Sequence, residues 1–324
     1  MTNQGLSMIT YSIIIPHYNS PKSLRKLLFT IPNFRDIEVI VIDDRSDKHL
    51  DDYQELIRDF SHKNIKFQTN NSCNKGAGAC RNIGINEALG KWLLFADSDD
   101  FFVKGFYDVI KKNSEENSDV IYFIPSSLDL ITMSKSNRHI YYEKITHNFL
   151  KNKPGSELKL RYNFEPPWSK LIKKDIVLNN EVFFDEIIAA NDVMFSVKLG
   201  FYSNQIKASK ESIYVVTKGV GTLTQDTSLN VYLARVATFI AKSNYLKEKL
   251  SKKQLKKLKL RGARGFVLLA IENKYGLKVI KHTMKKFKEN NIKYYLIDYF
   301  NLLVMFQKIF IHLKRIIQDK VYRV

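Results

Sequence analysis

Over roughly the first 125 residues, short runs of β-branched and large apolar side chains alternate with stretches whose apolar positions recur at helical spacing. That alternation restricts the fold more than any other feature of the chain. Strands separated by helices pair in parallel, and a parallel sheet needs helices to cover its faces. Ser12, Ile13, Ile14 and Ile15 read as a buried strand ended by Pro16. Ser20 followed by Pro21 starts a helix whose face carries Leu24, Leu27, Leu28 and Ile31, with proline at the first helical position where its missing N–H costs nothing. Glu38–Ile42 is the second strand and stops at Asp43 and Asp44. Leu50, Tyr53, Leu56, Ile57 and Phe60 mark one helix face, and Ile65–Phe67 a short strand. Gly76–Leu89 reads as a helix closed by Gly90, Trp92–Ala96 as a fully buried strand, and Val120–Ile124 as a fifth.

Beyond about residue 125 the alternation loosens. Hairpin strands are expected around 128–142, a turn at Pro166-Pro167, a helix near Val193–Leu199 and a strand at Ile213–Val216. From about 228 onward the pattern is helical. The 324 residues allow two domains, placed at 1–225 for an α/β body and 226–324 for a basic helical region.

Charge supports that division. The formal net charge is +19, and residues 241–324 hold 22 Lys and Arg against 5 Asp and Glu, while the preceding residues are close to neutral. A lysine-rich tail on a neutral body suits a polyanionic surface. Leu and Lys alternate over 246–261, and Tyr, Phe, Leu and Ile mix with Lys308, Lys314 and Arg315 further on. This favours an anionic membrane over nucleic acid, for which no motif accompanies the charge. A cap on the body or a homo-oligomer interface is the other reading. No apolar run approaches the ~18 residues that span a bilayer. The uncharged first 21 residues lack the basic start of a signal peptide. Two cysteines, Cys73 and Cys80, make neither a disulfide framework nor a zinc site, so the expected location is cytoplasmic, on the inner face of the membrane.

In an open α/β sheet, ligands bind at the carboxyl ends of the strands. Three polar sets fall there: His17-Tyr18-Asn19, Asp43-Asp44-Arg45-Ser46 and Asp97-Ser98-Asp99-Asp100. Each alone reads as a turn. Together they bring several carboxylates to one crevice, where a cation must offset their repulsion. Asp-x-Asp offers the hard oxygens that Mg²⁺ or Mn²⁺ prefers, and such ions bridge diphosphates.

Ser12–Asn19, Val39–Asp47, Gly76–Gly84 and Trp92–Asp100 together resemble the family 2 glycosyltransferases of GT-A fold, inverting enzymes that use nucleotide-diphosphate sugars. The likeness covers about residues 10–220. It implies that Pro16, Tyr18 and Asp44 surround a uracil-type base, with Asn19, Asp43, Arg81 and Ser98 in the same donor site. It also implies that Asp97 meets the ribose and that Asp99 ligates the metal. The general base of such enzymes lies in a Glu-Asp pair at a helix start; here Asn191-Asp192 occupies that place, making Asp192 the base, with Asp185 or Glu186 as alternatives. Pro166-Pro-Trp-Ser-Lys-Leu171 resembles a segment near the acceptor, which implies roles for Trp168 and Lys170, although Trp168 reads equally as core. The Gln-x-x-Arg-Trp sequence of processive synthases is absent. The implied activity is single addition of a sugar, from UDP by expectation, to a glycan or lipid-linked acceptor in bacterial surface-polysaccharide synthesis. A non-catalytic nucleotide-sugar-binding protein and a nucleotidyltransferase are the competing classes. The latter would need a glycine-rich phosphate loop in place of His17-Tyr18-Asn19.

Overall fold

A computed structural model describes residues 9–114, 117–218, 226–258 and 262–293. Among them, in chain order, the strands are β1 (Tyr11–His17), β2 (Ile37–Asp43), β3 (Ile65–Thr69), β4 (Trp92–Phe95), β5 (Phe101–Phe102), β6 (Val120–Tyr122), β7 (Ser126–Asp129), β8 (Ser134–Lys135), β9 (Lys170–Lys173), β10 (Ile206–Ala208) and β11 (Tyr214–Lys218). The helices are α1 (Pro21–Phe29), α2 (Leu50–Phe60), α3 (Ala77–Glu87), α4 (Phe106–Ser114), α5 (Ile140–Leu150), α6 (Ser156–Asn163), α7 (Lys174–Asn179), α8 (Asn191–Tyr202), α9 (Leu229–Lys249), α10 (Lys252–Leu258), α11 (Ala263–Glu272) and α12 (Leu277–Glu289).

Seven strands form the main sheet in the order β10-β6-β9-β4-β1-β2-β3. All pairs are parallel except those of β9, which runs antiparallel to β4 on one side and β6 on the other. Every residue of β1 and β2 is buried, as the β-branched runs require of strands covered on both faces. A smaller sheet, β5-β11-β7-β8, stands beside it. The mostly parallel, helix-flanked α/β architecture expected from the sequence is what the chain adopts.

Several local expectations are corrected. β1 does not stop before Pro16 but runs to His17. Pro16 has the parity of Ile14, whose carbonyl accepts the Ala96 N–H, so its missing N–H falls on the side where β4 has already ended at Phe95. Leu50 opens α2 but is exposed. The hairpin predicted over 128–142 is only the pair β7 and β8, because Tyr142, Ile145 and Phe149 recur at helical spacing and turn the following residues into α5, packed on the core. The strand predicted at 213–216 is β11, and the helix near 193 starts two residues earlier.

The chain divides into two compact units, Met1–Lys259 and Leu260–Val324. The boundary placed near 225, where the helical pattern begins, falls beside residues 219–225, which lie outside the described set. α9 and α10 belong to the first unit, while α11 and α12 pair within the second. The Tyr- and Phe-rich stretch from 294 on lies outside the described residues. Among the described residues no helix is long and apolar enough to cross a membrane.

Candidate functional site

The carboxyl ends of β1, β2 and β4 point the same way, because the three strands are parallel and in register from Tyr11↔Ile37 and Tyr11↔Trp92 onward. His17, Asp43 and the 97–100 turn therefore meet at one rim. His17 Nε2 accepts the Ser20 N–H at 3.1 Å, so Nδ1 carries the proton and donates to Asp43 Oδ1 at 2.8 Å. The ring stacks on Tyr53. Asp43 also accepts the Ser46 N–H and hydroxyl. Burial opposes its ionisation, but the hydrogen bonds from His17 and Ser46 outweigh it and hold the carboxyl below its ordinary range. Asp43 thus organises the rim through bonds to its own neighbours. Asn19 does similar work, its amide joining Asp47 and the Lys48 backbone across the two strand-end loops.

Tyr18 leaves the rim exposed at 49%, its hydroxyl donating to Asp47 Oδ1 at 3.3 Å and the Lys75 ammonium 5.8 Å from its ring centroid. Asp44 is buried and accepts from Asn70 Nδ2 and the Gly76 N–H, both at 2.7 Å, and its side chain also meets the Cys80 thiol. Pro16 is buried in β1 opposite Ile42 of β2. Ser98 lies at the α1 start, 3.2 Å from the Ser20 hydroxyl.

Arg81 ties this rim to the next segment. It is buried on α3, with one terminal nitrogen 2.6 Å from Asp97 Oδ1 and the other 2.9 Å from Asn191 Oδ1, and its guanidinium lies over the Phe184 ring. Its Nε is buried with no hydrogen-bond partner. A solvated helix arginine is therefore excluded. The approach depends on Gly78, where a Cβ would overlap the Asp185 carbonyl, so only glycine lets α3 close on the segment leading into α8.

α8 begins at Asn191, with Asp192 in its first turn. Burial pushes the Asp192 carboxyl up to about 6, a rise that Arg81 opposes and the Glu165 charge increases. Asn191, standing where the resemblance expects glutamate, pairs Arg81 without adding charge. The alternative bases are placed differently. Glu186 is exposed and held by Asn82 and Asn74, and Asp185 is half-buried, pushed up by burial, and faces Lys198.

Asp99 is raised by burial and by the Asp97 charge, with Arg138 opposing. Asp100 is buried, accepts the Thr217 N–H at 2.7 Å, and is pushed well up by burial and by Asp97 and Asp99. Among the described residues no group of three His, Cys, Asp or Glu is arranged to hold a metal.

Trp168 and Lys170 do not line an open acceptor surface. Trp168 is 5% exposed, stacked on Tyr214 and edge-on to Tyr142 and Phe164, which decides for the core reading. Lys170, on β9, is 1% exposed, and its ammonium donates to the Phe164 carbonyl at 2.7 Å and the Ser196 hydroxyl at 3.0 Å. Burial pushes it down to about 7, against the favourable charges of Asp192 and Glu165. Its place in mid-sheet turns it inward as a brace on α8. Glu165 and Lys242 were not anticipated. Lys242 of α9 is buried and donates to the Tyr162 carbonyl at 2.6 Å and Glu165 Oε1 at 2.7 Å. The signal was a lysine on the same helix face as Val231, Thr238 and Leu246, all buried.

Residues 12–166 match the family model described as Glycosyl transferase family 2. Among curated proteins, the chain is 28% identical over 225 residues to the poly(ribitol-phosphate) beta-N-acetylglucosaminyltransferase TarS of Staphylococcus aureus, a match covering 66% of this chain and 36% of TarS. It is 22% identical over 223 residues to the uncharacterized glycosyltransferase EpsJ of Bacillus subtilis, covering 66% and 62%. The chain thus spans little more than a third of TarS. Among solved structures, S. aureus TarS in complex with UDP-GlcNAc superposes with a TM-score of 0.56 at 18% identity, over 87% of this chain and 89% of that one. A mannosyltransferase from Pyrobaculum calidifontis in complex with GDP-Man and Mn²⁺ gives 0.53 at 13% identity, over 92% and 79%. At these identities the superpositions speak for the fold.

Proposed function

Residues 12–166 are a family 2 glycosyltransferase domain, and from that premise we propose that the protein moves a sugar from a nucleotide diphosphate, UDP by preference, to a hydroxyl of a glycan with inversion at the anomeric carbon. The surface-glycan setting follows the curated relatives. The observation that carries the reading is the Arg81 bridge, which holds Asp97 of the donor rim and Asn191, next to Asp192, on one guanidinium. Donor site and base are thereby built as one unit.

The Tyr18 ring offers a face for the base, and Asp44 a fixed acceptor for an N3–H. Asp97 meets the ribose. Asp99 would hold Mg²⁺ or Mn²⁺. The fit is chemical: hard oxygens, with Asp99 and Asp100 both raised by burial and then by the neighbouring carboxylates, a repulsion that a cation would offset. Among the described residues no group of three His, Cys, Asp or Glu is arranged as a metal cage, so the remaining ligands would come from the diphosphate and water. When bound, the ion supplies charge neutralisation for the departing diphosphate. Asp192 takes the proton of the acceptor hydroxyl as its oxygen attacks the anomeric carbon. The C–O bond to the diphosphate breaks on the opposite side, and the nucleotide diphosphate leaves. A carboxyl near pKa 6 is mostly ionised at neutral pH yet basic enough for this transfer.

The basic residues after α10 are assigned to an anionic membrane surface. The test of the whole reading is a panel of nucleotide sugars assayed for release of nucleotide diphosphate, with and without chelator. No turnover of any donor, with intact fold, rejects it in favour of a non-catalytic binding protein.

A further inference from the structure

A cavity of about 600 Å³ opens beside this site, lined by Asp129, Ser134, Lys135, Asn137, Glu143 and Lys218 among others. We propose that it is the acceptor subsite and that it takes an uncharged saccharide unit, an inference that rests on the glycosyltransferase reading above.

Position is the first argument. Lys218 lines the cavity, and the residue before it, Thr217, donates its hydroxyl to the Asp99 carbonyl at 2.7 Å and its N–H to the Asp100 carboxylate. Asn137 and His139 line the cavity, and Arg138 between them donates to the Thr217 carbonyl while its charge acts on Asp99. Both cavity walls therefore connect directly to the turn that carries Asp97 and Asp99. A ligand seated here would lie next to the Asp97–Asp100 turn that the reading above gives to the donor.

Chemistry is the second. The two carboxylates of the lining are matched by two lysines, and Lys218 already pairs with Asp129 at 3.1 Å. His139 is buried, shares a hydrogen bond with Ser127, and is pushed down by burial, so it adds no charge at neutral pH. What remains is a set of hydroxyl and amide groups with carboxylates and ammoniums in balance, suited to the donor and acceptor hydroxyls of a sugar and poorly suited to a polyanion. The Asn137 side chain has no hydrogen-bond partner among the described residues, and the half-exposed Ile140 supplies an apolar wall for the C–H face of a ring. The volume lies within the usual ~300–1,000 Å³ of small-ligand sites.

The test is saturation-transfer NMR on the full chain with N-acetylglucosamine and methyl glucoside as neutral probes and ribitol 5-phosphate as the anionic one. It is run on wild type, Asn137→Ala and the cavity-filling Ser134→Trp, with UDP affinity measured in parallel. Neutral sugars should contact the wild type, bind about tenfold more weakly to Asn137→Ala and lose contact with Ser134→Trp, while UDP affinity stays unchanged. Saccharide contact that is absent from the wild type, equal in all three proteins, or weaker than that of ribitol 5-phosphate overturns the proposal. Loss of UDP binding by the wild type itself rejects the donor site instead, so the two failures are distinct.

Discussion

Replacing Asp192 by asparagine should move two observables in opposite directions. The carboxyl is raised from 3.8 to about 6 in the fold, and a rise of that size corresponds to about 3 kcal/mol against the ionised form. The residue is only partly buried, so solvent screening lowers that figure, and the first turn of α8 returns ~0.3–1 kcal/mol to a negative charge. About 1–2 kcal/mol of destabilisation remains. The sign follows from proton binding: between pH 3.8 and about 6 the folded chain holds more protons than the unfolded one, so the Asp192 contribution to stability falls across that window and stays lost above it. Asp192→Asn should therefore melt above the wild type at pH 8, by about 2–4 °C per kcal/mol, and at the same temperature near pH 3.8. Its transfer rate should drop by about 10²-fold or more, and the wild-type rate should show an acidic limb near pH 6. Differential scanning fluorimetry and diphosphate release read the two effects on one preparation. A variant whose melting temperature exceeds the wild type's by no more at pH 8 than at pH 4 refutes the buried-carboxylate argument; one that keeps full activity refutes the base.

Asp99→Asn should abolish metal-dependent turnover with the fold intact, measured by diphosphate release against added Mn²⁺; full activity in chelator would remove the metal from the scheme. Lys242→Met leaves Glu165 unpaired near Asp192 and should shift the acidic limb of the rate profile to higher pH, with Glu165→Gln in the same chain returning it toward wild type. A profile unmoved by either change would leave Lys242 a packing residue. Deletion from residue 262 onward should cut cosedimentation with anionic vesicles while sparing donor hydrolysis, and equal partitioning of both forms would assign the tail to packing.

The parallel core was legible because fully buried strands are written as continuous apolar runs, such as Ile13–Ile15 and Val39–Ile42, and strand-end acids announce the rim they share. β9 was not legible. Lys170 interrupts its apolar pattern, and the reason a lysine is tolerated there lies in partners far along the chain, Phe164 and Ser196. α5 carried its helical period in plain view at Tyr142, Ile145 and Phe149, but polar β-like residues before it suggested a longer hairpin. Asp43 and Asp44 are adjacent and chemically identical, so only the fold separates the one that braces His17 from the one that bridges Asn70 and Gly76. Lys242 was hidden in the basic tail, where its charge was counted as surface.

The antiparallel strand β9 also bears on how the chain is synthesised. It sits between β4 and β6, yet it is made some fifty residues after β6. Until residue 173 has left the ribosome, β4 presents a bare hydrogen-bonding edge, and β6 has no place in the sheet. Closure thus waits on a long-range pairing, the kind of step that slows folding and exposes nascent chains to association. A fragment cut at 166, where the family match ends, would carry that open edge permanently and should aggregate.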